Sequence, residues 1–135
     1  MLLAAIIAWA AAQSIKVILN LITQKKLVLE RFVGSGGMPS SHTALVTALG
    51  ISVGRYAGFN SAAFAVAAAF ALVTIYDATG VRHAAGEQAK ILNYMMDNWK
   101  NPPEMFQKNL KELLGHTPVE VLVGALLGAV VGSLV

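Results

Sequence analysis

A chain of 135 residues is long enough for one domain. Its residues are 56% hydrophobic and only 13% charged, and a mean hydropathy of +0.64 points to a bilayer rather than a soluble globule. The lack of cysteine excludes disulfides and thiol chemistry, and a net charge of +3 without any basic run excludes a nucleic-acid arm.

Residues 1–22 form the first predicted span, about the length a bilayer requires. No basic n-region precedes the apolar pattern, so a cleavable signal peptide is not expected. Gln13, Lys16 and Asn20 recur at helical spacing and mark a polar stripe on this span. That stripe faces either protein or a water-filled cleft, with Lys16 reaching a site or snorkelling toward headgroups. A polar connection over 23–37 carries Lys25, Lys26, Glu30 and Arg31.

The sequence Gly36-Gly37-Met38-Pro39-Ser40-Ser41-His42-Thr43 opens the second span, 40–58. Glycines let backbone approach a ligand, Pro39 favours a first helical turn, and the free N–H groups of such a turn attract an oxyanion. The plainer alternative is a capped helix with Ser40 or Ser41 as N-cap. Gly50, Gly54 and Gly58 recur every four residues and form a predicted helix-packing face. The third span covers 61–79 and ends beside Asp77.

Beyond Gly80, residues Val81, Ala84, Ala85, Gln88, Leu92, Met95, Met96 and Trp99 keep helical spacing. They predict an amphipathic helix lying in the membrane interface or lining the mouth of the protein. Asn101-Pro102-Pro103 breaks it, and a second short amphipathic helix is expected over 104–114, ended by Gly115. The last span, 117–135, begins with a capping-box pattern, Thr117-Pro118-Val119-Glu120. Its Gly124, Gly128 and Gly132 repeat the four-residue glycine pattern, and the two faces pack either within one chain or across a homodimer.

The expected fold is therefore all-α: one membrane-embedded domain over 1–135, about four transmembrane helices plus amphipathic interfacial helices. Two crossings separate the 36–42 motif from the 77–116 region, so both fall on one side of the membrane and can form one site. Nine of the ten Lys and Arg residues lie on or toward that side, with Arg55 opposite. The positive-inside rule makes it cytoplasmic.

The three histidines, His42, His83 and His116, all lie at or near that shared face. Glu120 stands four residues after His116. It either orients the imidazole and favours its charged form or closes the capping box onto Thr117. Arg82 either grips a phosphate in bidentate fashion or pairs with Asp77 or Glu87. No metal-ligand spacing is convincing. Asp77 and Glu87, which could share a divalent ion, are too far apart in sequence to carry that reading.

Three separated segments carry a resemblance: Met38-Pro39-Ser40-Ser41-His42, Tyr76-Asp77-Ala78-Thr79-Gly80-Val81-Arg82 with Ala85-Gly86-Glu87-Gln88-Ala89, and Leu114-Gly115-His116-Thr117-Pro118. Together they resemble the divergent acid phosphatase / vanadium-dependent haloperoxidase-related family of small bacterial and plastid membrane proteins, a remote branch of the type 2 phosphatidic acid phosphatases. The resemblance covers nearly the whole chain. It implies that His116 is the nucleophile, Glu120 fixes its tautomer, and His42 protonates the leaving alcohol. Lys16, Arg31, Gly37, Ser40, Ser41 and Arg82 would hold the phosphate, with Asp77 and Glu87 as structural or site support. The chain departs from the parent pattern: Ser41 stands where the parent motif has glycine, 33 residues separate Arg82 from His116, the first-motif Lys and Arg are not at the parent spacing, Phe32 rather than Pro follows Arg31, and four spans replace about six.

The expected function is hydrolysis of a lipid or isoprenoid phosphate through a phosphohistidine, with no metal or other cofactor. The setting would be a bacterial cytoplasmic or plastid membrane. The alternatives are a non-catalytic lipid-phosphate-binding or scaffold protein, and a lipid phosphotransferase.

Overall fold

The computed structural model describes residues 1–24, 37–100, 110 and 114–135. Five helices follow one another: α1 (Leu2–Gln24), α2 (Ser41–Ala57), α3 (Ala62–Thr79), α4 (Val81–Asp97) and α5 (Pro118–Leu134). Among the described residues no strand occurs. Each predicted span coincides with one of these helices. The predicted short helix over 104–114 lies outside the described residues apart from Leu110 and Leu114, as do Lys25, Lys26, Glu30 and Arg31.

Hydroxyl caps set three of the helix starts. Ser40, Ser61 and Thr117 accept hydrogen bonds from the backbone N–H groups of Thr43, Phe64 and Glu120. These bonds satisfy donors that a helix otherwise leaves unpaired. The predicted capping box at Thr117–Glu120 is complete, with Pro118 opening α5. Of the two serine candidates Ser40 is the cap of α2. Pro39 precedes that cap instead of occupying the first helical turn, and its peptide bond with Met38 is cis.

The size distribution is inverted relative to a soluble core. Ala4, Ala8, Ala12, Ala44 and Ala48 are fully buried, whereas Val66 and Leu72 are 71% and 69% exposed. In water that arrangement forfeits most of the available hydrophobic stabilisation. In lipid the large side chains meet acyl chains, and small ones let helices approach. Two helical stretches, Leu2–Ile22 and Ala62–Asp97, are long and apolar enough to cross a bilayer, and α5 is a shorter apolar helix. The chain is an all-α membrane bundle.

Helix α2 is central and packs against α1, α3 and α5. Ala8 and Ala12 of α1 meet Ala44 and Ala48 of α2, with Leu127 and Val131 of α5 against the same cluster. Helix α5 lies parallel to α2 in fixed register: Gly124, Gly128 and Gly132 oppose the backbone at Ser40, Ala44 and Ala48. An added Cβ would stand 2.5 Å from the Ser40 carbonyl oxygen at Gly124 and 2.6 Å from that of Ala48 at Gly132. At the far end Arg55 Nη1 donates to the Gly132 carbonyl at 3.1 Å.

Within the chain the two glycine faces do not pack together, and this corrects the intrachain pairing read from their spacing. The α5 glycines meet the Ser/Ala face of α2. Gly54 instead accommodates the ring of Phe59, Gly58 ends α2 at φ +90°, and a Cβ added at Gly50 would meet nothing within 4 Å. Gly128→Ala is therefore expected to lower stability by about 1–3 kcal/mol through overpacking. Gly50→Ala should leave stability unchanged or raise it by up to about 1 kcal/mol, since alanine is the better helix former. Denaturation of both variants in detergent checks the contrast; equal losses would show that close α2–α5 approach is not what the α5 glycines provide.

Helix α4 covers the predicted amphipathic stretch. It buries Gly86, Ala89 and Asn93, while Val81, Leu92, Met95 and Trp99 remain exposed. The apolar stripe thus turns away from the rest of the described chain, and the neighbouring small-residue stripe does the packing. Asn93 is held by a paired contact in which its amide donates to the Leu110 carbonyl and accepts from the Leu110 N–H, both at 2.9 Å.

Candidate phosphate-binding site

Three pieces of backbone meet at one end of the bundle: the start of α2, the α3–α4 junction, and the turn entering α5. The Ser40 N–H donates to the Glu120 carbonyl at 3.0 Å, tying α2 to α5. The His116 N–H donates to the Ala78 carbonyl at 2.9 Å, tying the α5 entry to α3. Gly115 makes this approach possible. It has φ +82°, and a side chain there would overlap the backbone of Arg82 and His83.

A cleft lies between these pieces, lined by His42, Thr74, Asp77, Ala78, Arg82, Gly115 and His116. The ring centroids of His42 and His116 are 6.5 Å apart. The structure thus brings His42, Arg82, Asp77 and His116, distant in sequence, to one cavity. Lys16 is 3% exposed, which rules out snorkelling, and its charge is felt at both histidines.

His116 is the most strongly positioned group. It is only 2% exposed, and its Nδ1 lies 3.1 Å from Glu120 Oε2. The same carboxylate oxygen accepts the Thr117 N–H at 3.0 Å. The two roles read for Glu120 are therefore simultaneous: it closes the capping box and holds the imidazole. A carboxylate can only accept, so this contact is a hydrogen bond when Nδ1 carries the proton. Nε2 then bears the lone pair, and it is buried without a hydrogen-bond partner.

Burial pushes the His116 imidazole below its ordinary value of 6.5. The Glu120 hydrogen bond and charge oppose that fall, and Lys16 and Arg82 add to it.

The other expected site residues are placed less directly. Ser40 and Ser41 are buried beside His42 but do not line the cleft. The Ser40 hydroxyl receives the Thr43 hydroxyl at 2.9 Å and caps α2. Gly37 has φ +83° just ahead of α2. Arg31 lies outside the described residues. Arg82 is ion-paired through Nε with Asp77. Glu87 pairs with Lys90 at 2.7 Å on the exposed side of α4 and takes no part in the cleft. His83 is exposed, and although its backbone packs against Gly115 its ring does not line the cavity. Among the described residues no group of three or more His, Asp or Glu could hold a metal ion.

Three lining residues, Thr74, Ala78 and Gly115, were not among the expected site residues. Thr74 sits inside an apolar run and donates its hydroxyl to the Phe70 carbonyl at 2.8 Å, so it reads as one more bilayer residue. Gly115 reads locally as a helix stop. Its neighbour His116 was the available signal that the turn belongs to a site.

A small-cored helical bundle with a histidine- and arginine-lined cleft at one end defines an α-helical membrane protein. The chain belongs to the Divergent PAP2 family, whose model matches residues 1–131. Membership makes it a phosphatase-related membrane protein. It is also similar to YuiD of Bacillus subtilis (strain 168), described as an uncharacterized membrane protein. The two are 45% identical over 138 residues, which cover 94% of this chain and 87% of that one. No solved structure matches the chain.

Proposed function

We propose that this protein is a metal-independent phosphatase acting on a lipid or isoprenoid phosphate. The observation that carries the reading is His116: its Nδ1 is held by Glu120, its Nε2 lacks a partner, and it shares one cleft with His42 and Arg82. Such an imidazole is oriented as a nucleophile. Its Nε2 lone pair attacks phosphorus, the P–O bond to the alcohol breaks, and protonated His42 gives its proton to the departing alkoxide. Water then attacks the phosphohistidine, its proton passes to His42, and phosphate leaves. Arg82 and Lys16 offset the negative charge on the transferring group.

The bundle around the cleft is apolar, which suits a substrate with a hydrocarbon tail and a phosphate head. Among the described residues Lys16, Arg82, Lys90 and Lys100 lie on or toward the site end and Arg55 lies at the other, which supports a cytoplasmic site.

The test is phosphate release by the purified protein from a panel of lipid and isoprenoid monophosphates with EDTA present. Sustained release is the expected result. Release that stops with EDTA would favour a metal-dependent phosphotransferase, and no release from any substrate would favour a lipid-phosphate-binding or scaffold protein.

A further inference from the structure

Asp77 lies in the last turn of α3 and Arg82 in the first turn of α4, on either side of the break at Gly80, and both residues line the cleft. A carboxylate beside a phosphate site is unfavourable on charge alone, because it repels the ligand and competes for the arginine. The geometry of the pair offsets this. Asp77 Oδ2 takes the Nε–H of Arg82, and among the described residues no other acceptor holds the guanidinium. Guanidinium is planar and rigid, so fixing Nε fixes the directions of Nη1 and Nη2. Those two groups form the fork that matches two oxygens of a phosphoryl group.

The Gly80 break sets this placement. In a regular helix, residues five apart do not share a face. Gly80, at φ −100° and ψ −86°, leaves the helical path while its N–H still bonds the Tyr76 carbonyl. Asp77 and Arg82 are thereby brought together at the cavity wall. With nearly half of each side chain open to solvent, the pair adds little stability by itself. Its value lies in direction.

We propose that Asp77 is a positioning residue for anion capture, holding Arg82 through Nε so that the Nη1/Nη2 fork is presented to the phosphoryl oxygens. The proposal rests on reading the cleft as a phosphate site. It assigns Asp77 no contact with the ligand and no proton transfer.

Binding of inorganic phosphate to the full-length protein in detergent, measured by calorimetry, tests it without reference to turnover. Asp77→Ala is expected to weaken phosphate binding about tenfold, as suits loss of one oriented charge-assisted contact. Asp77→Asn keeps an acceptor oxygen for Nε–H and removes the repelling charge, so it should bind at least as well as the parent. In an Arg82→Ala background, Asp77→Ala should have no further effect, because no guanidinium remains to be placed.

Tighter binding by Asp77→Ala would overturn the proposal and make Asp77 a guard that repels anions. Equal weakening with and without Arg82, or a tenfold loss in Asp77→Asn, would also overturn it. Failure of the parent protein itself to bind phosphate would instead overturn the phosphate-site reading on which it stands.

Discussion

Replacing His116 by alanine is expected to reduce phosphate release by about 10³-fold or more, the scale seen when a covalent nucleophile is lost. Brief reaction with labelled substrate followed by denaturation should trap phosphohistidine in the parent protein and none in the variant. His42→Ala should slow release while still allowing label to accumulate from substrates with a good leaving group, because an acid is then less needed. Label that persists in His116→Ala would move the nucleophile elsewhere. The pH profile adds a signed expectation. His116 must be neutral to attack, and its proton affinity is lowered by burial, so the acid limb should fall below 6.5. The same shift makes the unfolded chain the better proton acceptor just below that pH. The stability contributed is complete above 6.5 and is lost as pH falls toward the folded-state value.

The second large effect is expected at Gly115. Alanine there must adopt φ +82° and also place its Cβ against the backbone of His83. The conformational strain alone costs roughly 1–3 kcal/mol. The turn can relieve the overlap only by moving His116 away from Ala78 and the cleft. A displacement near 1 Å lowers turnover by about a hundredfold. Detergent denaturation and phosphate release, measured on the same preparation, should therefore fall together. Unchanged values for both would show that the turn has room the geometry does not suggest.

The spans, their hydroxyl caps and the grouping of His42, Arg82 and His116 at one end were legible because each has a local signature. Apolar runs of bilayer length, Ser or Thr ahead of a run, and an even count of crossings between motifs suffice for these. Packing partners were not legible. Four-residue glycine spacing on α2 and α5 describes two faces equally well, yet only the α5 face meets a neighbour closely; Gly54 is taken by Phe59, which spacing cannot reveal. On α4 the amphipathic period was legible, whereas the packing stripe of Gly86, Ala89 and Asn93 was not, because in a membrane the large apolar stripe is the one that leaves the protein. At the site, sequence posed Glu120 as either cap or histidine partner. One carboxylate oxygen reaching both the Thr117 N–H and His116 Nδ1 is a tertiary fact.

Helices α2 and α5, whose first turns frame the cleft, have 17 residues each, whereas α1 has 23. At 1.5 Å per residue the two short helices span about 26 Å. An average hydrocarbon layer of about 30 Å is thicker than that, a mismatch that favours local thinning of the bilayer around this pair. A lipid whose phosphate reaches His42 and His116 then sits lower than its neighbours in the leaflet. On the proposed lipid-phosphatase reading, host-membrane thickness becomes a variable of turnover: a thin bilayer brings headgroups level with the cleft, and a thick one leaves the cleft beneath them.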